Sequence, residues 1–77
     1  MMTGDDVRLT TVQERLLGLL ARDMTARDIA ATTAYSKVWI YHELRTLRDT
    51  LGVRTNVGAV MEGVRMGVIE VERVDKV

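Results

Sequence analysis

No proline occurs anywhere in the 77 residues, and the apolar positions recur at intervals of three and four along nearly the whole chain. Proline is the strongest helix breaker, and that spacing is the signature of one buried helical face, so the two features together predict an all-α fold. Four helices are expected. Thr10 caps the first and Gln13 reaches back to it as a capping box, with Leu16, Leu17, Leu19 and Leu20 forming a broad apolar stripe. Gly18 inside that stripe costs about 1 kcal/mol relative to alanine, which reads as a mark of close packing.

The second helix opens at "MTARDIAA", where Thr25 is the cap and Asp28 the acidic partner three residues on. It ends near Thr32 or Thr33. The stretch "TTAYS" makes a turn, and Ser36 then caps a third helix running to about Leu51, where Gly52 favours a left-handed terminus. Two helices joined this closely form a helix-turn-helix pattern. The fourth helix starts at Asn56 or Val57, carries Val60, Met61, Val64 and Val68 on one side, and ends between Gly67 and Ile69. Residues 1–8 read as a flexible N-terminal segment, 9–69 as the domain and 70–77 as a C-terminal tail. The tail's valines among charges suit a helical extension, a short strand or disorder alike.

Composition narrows the chemistry. Forty-seven per cent hydrophobic residues supply one modest core, and eleven basic residues cancel eleven acidic ones, so attraction to polyanions as a whole is weak. With no cysteine and a single histidine, neither a disulfide framework nor a metal cluster is expected, and no cofactor is implied. There is no nucleophile with a base, no paired carboxylate with a histidine and no glycine-rich phosphate loop, so an enzyme is not expected. The N-terminus lacks the basic cap and apolar run of a signal peptide, and no stretch approaches the roughly 18 apolar residues of a membrane span. A cytoplasmic protein with no membrane partner is the expectation.

From Leu9 to Ile69 the chain resembles the DNA-binding domain of the LuxR/GerE-type bacterial regulators. The resemblance rests on "LT" at Leu9 and Thr10, and on "MTARDIA" at Met24 to Ala30, similar to the family's apolar-Ser/Thr-x-x-Glu-Ile-Ala. Ser36 opening the third helix, Ile40, Leu44 and Leu47 within it, "LGV" at Leu51 to Val53, and "VRMGVI" near the end extend it. It implies a four-helix domain with a helix-turn-helix core, a third helix that reads duplex DNA and a fourth that dimerises. Family members usually carry a receiver or ligand-binding domain ahead of this one, and nothing before Leu9 is long enough for that, which implies a stand-alone form. Departures fall on the surface: Trp39 stands where the family has threonine, Tyr41 where it has lysine and Glu43 where it often has histidine. Thr50 and Asn56 take places where the family sets basic residues, so phosphate contacts are weakened there.

With Ile40 as the inward reference, Leu44, Leu47 and Leu51 share its side, whereas Val38, His42, Arg45 and Asp49 point away. Lys37, Tyr41 and Arg48 flank the outward row on one side; Trp39, Glu43 and Thr46 flank it on the other. In a DNA complex Lys37, His42 and Arg45 offer donors to guanine edges, Val38 suits a thymine methyl, and Tyr41 and Arg48 suit phosphates. Arg27 near the start of the second helix and Ser36 at the cap complete the set expected to meet DNA. Plainer readings stand beside these: His42 and Arg27 as solvated surface residues, Trp39 as half-buried packing, and Val60, Met61, Val64 and Val68 as core rather than dimer contacts. A second functional reading keeps the scaffold but turns Trp39, Tyr41 and Glu43 toward a protein partner in transcription.

Overall fold

Four helices make up the regular structure of the residues described by the computed structural model, 8–70: α1 (Thr11–Ala21), α2 (Ala26–Thr32), α3 (Lys37–Leu51) and α4 (Asn56–Arg65). The expectations for the N-terminal segment and the tail lie outside the described residues, save at Arg8 and Glu70. Each helix starts where a hydroxyl meets the free amides of its first turn. At α1 the Thr10 Oγ1 accepts from the Gln13 amide at 3.0 Å and Gln13 Oε1 accepts from the Thr10 amide at 2.9 Å. That reciprocal pair gives the side-chain oxygen of the buried Gln13 its partner. Thr25 and Asp28 repeat it at α2, at 3.1 and 3.0 Å. Ser36 caps α3 by accepting from the Trp39 amide at 3.1 Å, and Thr55 caps α4 through the Gly58 amide at 2.9 Å.

The backbone N–H of Thr25, with its side chain second, holds the Asp28 carboxyl below the ordinary carboxylate range. Its capping contribution is therefore complete at neutral pH and is lost as the pH falls through that lowered range.

Three of the four helices end in the same way. Asp23, Gly52 and Gly67 take left-handed backbone angles, with φ of 68°, 72° and 77°. The next amide in each case returns to a carbonyl inside the helix: Met24 to Leu19 at 3.3 Å, Val53 to Arg48 at 3.0 Å and Val68 to Gly63 at 2.9 Å. These are Schellman closures. Helix α2 ends differently, with the Thr32 and Thr33 hydroxyls donating to the Ile29 carbonyl at 3.3 and 2.8 Å. The third closure corrects the expected length of α4, which stops at Arg65, so Val68 lies beyond the helix in the turn that Gly67 creates.

The core is assembled around α3, whose Ile40, Leu44 and Leu47 are buried against Leu16 and Leu17 of α1, Ile29 of α2 and Ala59 of α4. Helix α3 packs on all three of the others, and α1 packs on α4. The close approach is at Gly63, where an added Cβ would stand 3.1 Å from both Leu17 Cδ1 and Ile69 Cγ1. Gly18, expected to mark close packing, has nothing within 4 Å of such a Cβ. No helix among the described residues is long and apolar enough to cross a membrane.

Gly18 is thus a helix-interior glycine in open space. Gly18→Ala is expected to stabilise the domain by about 1 kcal/mol, raising the thermal midpoint by roughly 4–8 °C. Gly52→Ala forces a side chain into the left-handed region and should lower the midpoint instead. Thermal unfolding followed by circular dichroism checks both, and a Gly18→Ala protein no more stable than its parent would contradict the reading.

Candidate nucleic-acid interface

The inward stripe of α3 fixes what its other face presents, because a residue two positions from a buried one points roughly away from it. Val38, His42, Arg45 and Asp49 are all exposed, Val38 most of all at 79%. They form one row along the helix. Lys37 and Tyr41 are exposed beside that row, while Arg48 on the same flank is half-buried. On the other flank Thr46 is exposed and Trp39 and Glu43 are half-buried. The side chains of Lys37, His42 and Arg45 make no hydrogen bond or ion pair among the described residues. Their donors face solvent.

Arg48 has a different setting from the one its sequence position suggested. Its Nη1 donates to Asn56 Oδ1 at 2.7 Å, linking the last turn of α3 to the first residue of α4. Sequence reasoning treated Arg48 and Asn56 as separate surface positions. Their pairing crosses the loop Gly52 to Thr55, whose geometry no local pattern reports. Arg27 is exposed in the first turn of α2, and Ser36 is exposed with its oxygen accepting from the Trp39 amide while its own proton remains free to donate.

Trp39 is packed partly against the core and stacked on Tyr35, ring centroids 4.2 Å apart and planes tilted by 34°. Tyr35 is brought there by the turn: the Thr33 hydroxyl accepts from the Tyr35 amide at 3.3 Å while donating to Ile29. Tyr41 projects from the opposite flank, 56% exposed. It borders an open groove of about 530 Å³ that Leu20, Met24, Asn56, Val57 and Met61 also line. Trp39 and Tyr41 therefore do not share a face of α3.

Helix α4 leaves a second surface uncovered. Val57 is 69%, Met61 67% and Val64 42% exposed, with Val60 half-buried beside them, and these positions repeat as i, i+3, i+4 and i+7. Sequence reasoning placed Val60, Met61 and Val64 here but missed Val57, which the same spacing counted one turn backward would have found. Val68, expected in the stripe, lies past the helix end and is half-buried. Glu62 and Arg65 pair on the same helix, and that contact holds the Glu62 carboxyl below its ordinary range.

Comparison with protein-family models, with curated proteins and with solved structures finds no match to this chain.

The setting of Arg48 separates it from Arg45 in a measurable way. Arg48→Ala removes the α3–α4 link and should cost about 1 kcal/mol of stability, whereas Arg45→Ala, on the open face, should stay within about 0.5 kcal/mol of the parent. Urea unfolding of the two variants tests this. Equal stabilities would show that the Asn56 contact holds nothing together.

Proposed function

We propose that this chain is a sequence-specific regulator of transcription that binds double-stranded DNA as a dimer. In this reading α2 and α3 form a helix-turn-helix, α3 lies in the major groove and α4 pairs two copies. The observation that carries the proposal is the open row on α3. Val38, His42 and Arg45 lie within an arc of about 60°, flanked by Lys37, and none of the four contributes to the core. A helix of 15 residues is about 22 Å long, and a major groove about 12 Å wide admits it. His42, Arg45 and Lys37 supply donors to base edges. Arg27 in the first turn of α2, Ser36 at the cap of α3 and Tyr41 on the flank of α3 are the hydrogen-bond donors to phosphates in this reading, and Arg48 adds a guanidinium that spends one of its five donors on Asn56.

Four of the five most exposed large apolar side chains among the described residues gather at α4 and the groove beside it: Val57, Met61, Val64 and Tyr41. A 77-residue chain without disulfides gains stability by burying such a stripe against a twin. Two-fold pairing sets the reading helices for half-sites about one helical turn, roughly 34 Å, apart. Val64→Glu is expected to give a folded monomer with weaker duplex affinity, read by sedimentation equilibrium. A parent chain that stays monomeric at high micromolar concentration would remove the dimer from the proposal.

The contest with a protein-binding role is decided by salt. Phosphate contacts release counterions, so log affinity for duplex DNA should fall steeply with log salt, and Tyr41→Lys should steepen that slope by about 0.9 per half-site. Base preference should barely change, since the added charge meets phosphate. No measurable duplex binding at low salt, in the parent or in Tyr41→Lys, would sink the DNA-reading role. A protein surface on α3 would then take its place. Against that second role stands the Tyr35–Trp39 stack, which spends the tryptophan inside the monomer.

A further inference from the structure

Val38 is the most exposed large apolar side chain among the described residues, and it has no part in the hydrophobic core. A β-branched residue in the first turn of a helix adds little to helix stability, so neither packing nor propensity accounts for it. It stands one and two turns before His42 and Arg45 on the open row, with Lys37 preceding it. This is an apolar tip set among hydrogen-bond donors. Resting on the DNA-binding reading above, we infer that Val38 contacts the 5-methyl group of a pyrimidine, thymine in unmodified DNA, in the major groove.

The chemistry is selective for one feature of one base. Among the four bases only thymine carries a methyl on the major-groove edge, and an isopropyl group has nothing to offer the acceptors and donors of the others. The N-terminal residues of a reading helix are the ones that approach base edges. Val38 and Arg45 are separated by about 10 Å along the axis at 1.5 Å per residue, so one row spans roughly three base-pair steps of 3.4 Å. The thymine read by Val38 therefore lies within about three steps of the base pair met by Arg45, on the side of the half-site that receives the start of α3.

The test uses duplexes recovered from a randomised pool, with each thymine replaced in turn by deoxyuridine, which removes the methyl and leaves base pairing intact. One thymine per half-site should stand out, its replacement weakening binding about fourfold per half-site, the equivalent of one buried methyl group. 5-Bromodeoxyuridine, whose bromine is close to a methyl in size, should restore the affinity. With Val38→Ala, which alters only an exposed position, the difference between thymine and deoxyuridine should collapse. Three outcomes overturn the inference and are distinguishable from one another. Equal affinity for every deoxyuridine-substituted duplex shows that no methyl is read. An undiminished preference for thymine in Val38→Ala shows that another residue reads it. An absence of binding to any duplex at low salt removes the DNA-binding reading itself and the inference with it.

Discussion

Everything in this domain hangs on one stripe of α3. Ile40, Leu44 and Leu47 are each about as buried as a side chain can be, and through them the helix meets α1, α2 and α4 at once. Burying a side chain of this size stabilises a fold by about 1.5–3 kcal/mol. Six such residues make up the fully buried large side chains among the described residues, so the loss of any one leaves little to compensate. The same stripe also fixes the face of α3 on which the proposed reading row stands. A helix held on three sides by its inward face has its outward face defined to within a few tens of degrees, and a reading surface needs that rigidity.

The helix ends share the remaining work. A short helix is marginal in water on its own, and α2 has only seven residues, so its reciprocal cap at Thr25 and Asp28 and its closing threonine hydroxyls count for more than they would in a long helix. Left-handed closures at Asp23 and Gly52 turn the chain sharply enough to bring α2 and α4 back onto α3, and the one at Gly67 returns Ile69 to the close approach at Gly63. Asp23 does this without the freedom of glycine. Its strained backbone lies on the edge of the groove that Tyr41 and Met61 border, where the closing turn of α1 meets the uncovered face of α4.

Charge and apolar surface divide the molecule between its two candidate partners. Lys37, His42 and Arg45 present donors on α3 beside the exposed Val38, whereas α4 exposes a continuous apolar stripe at Val57, Met61 and Val64. The Arg48–Asn56 hydrogen bond joins the two elements at their nearest ends. A chain of zero formal net charge cannot hold DNA by bulk attraction, and the proposed role rests instead on a few placed donors and one placed methyl contact.

Local chemistry determined a great deal here. The caps at Thr10, Thr25 and Ser36, the closure at Gly52 and the inward order of Ile40, Leu44 and Leu47 were all legible from the residues, because each depends on neighbours within one or two turns. The outward row of Val38, His42, Arg45 and Asp49 followed from the same periodicity. What the sequence left open depends on groups far apart along the chain or on a turn whose shape is set by packing. Arg48 finding Asn56, Val68 leaving the α4 stripe at the Gly67 turn, and Gly63 rather than Gly18 marking the close approach are all of this kind. Periodicity reports which way a side chain points from its own axis. Only the packing of four axes against one another decides what it meets there.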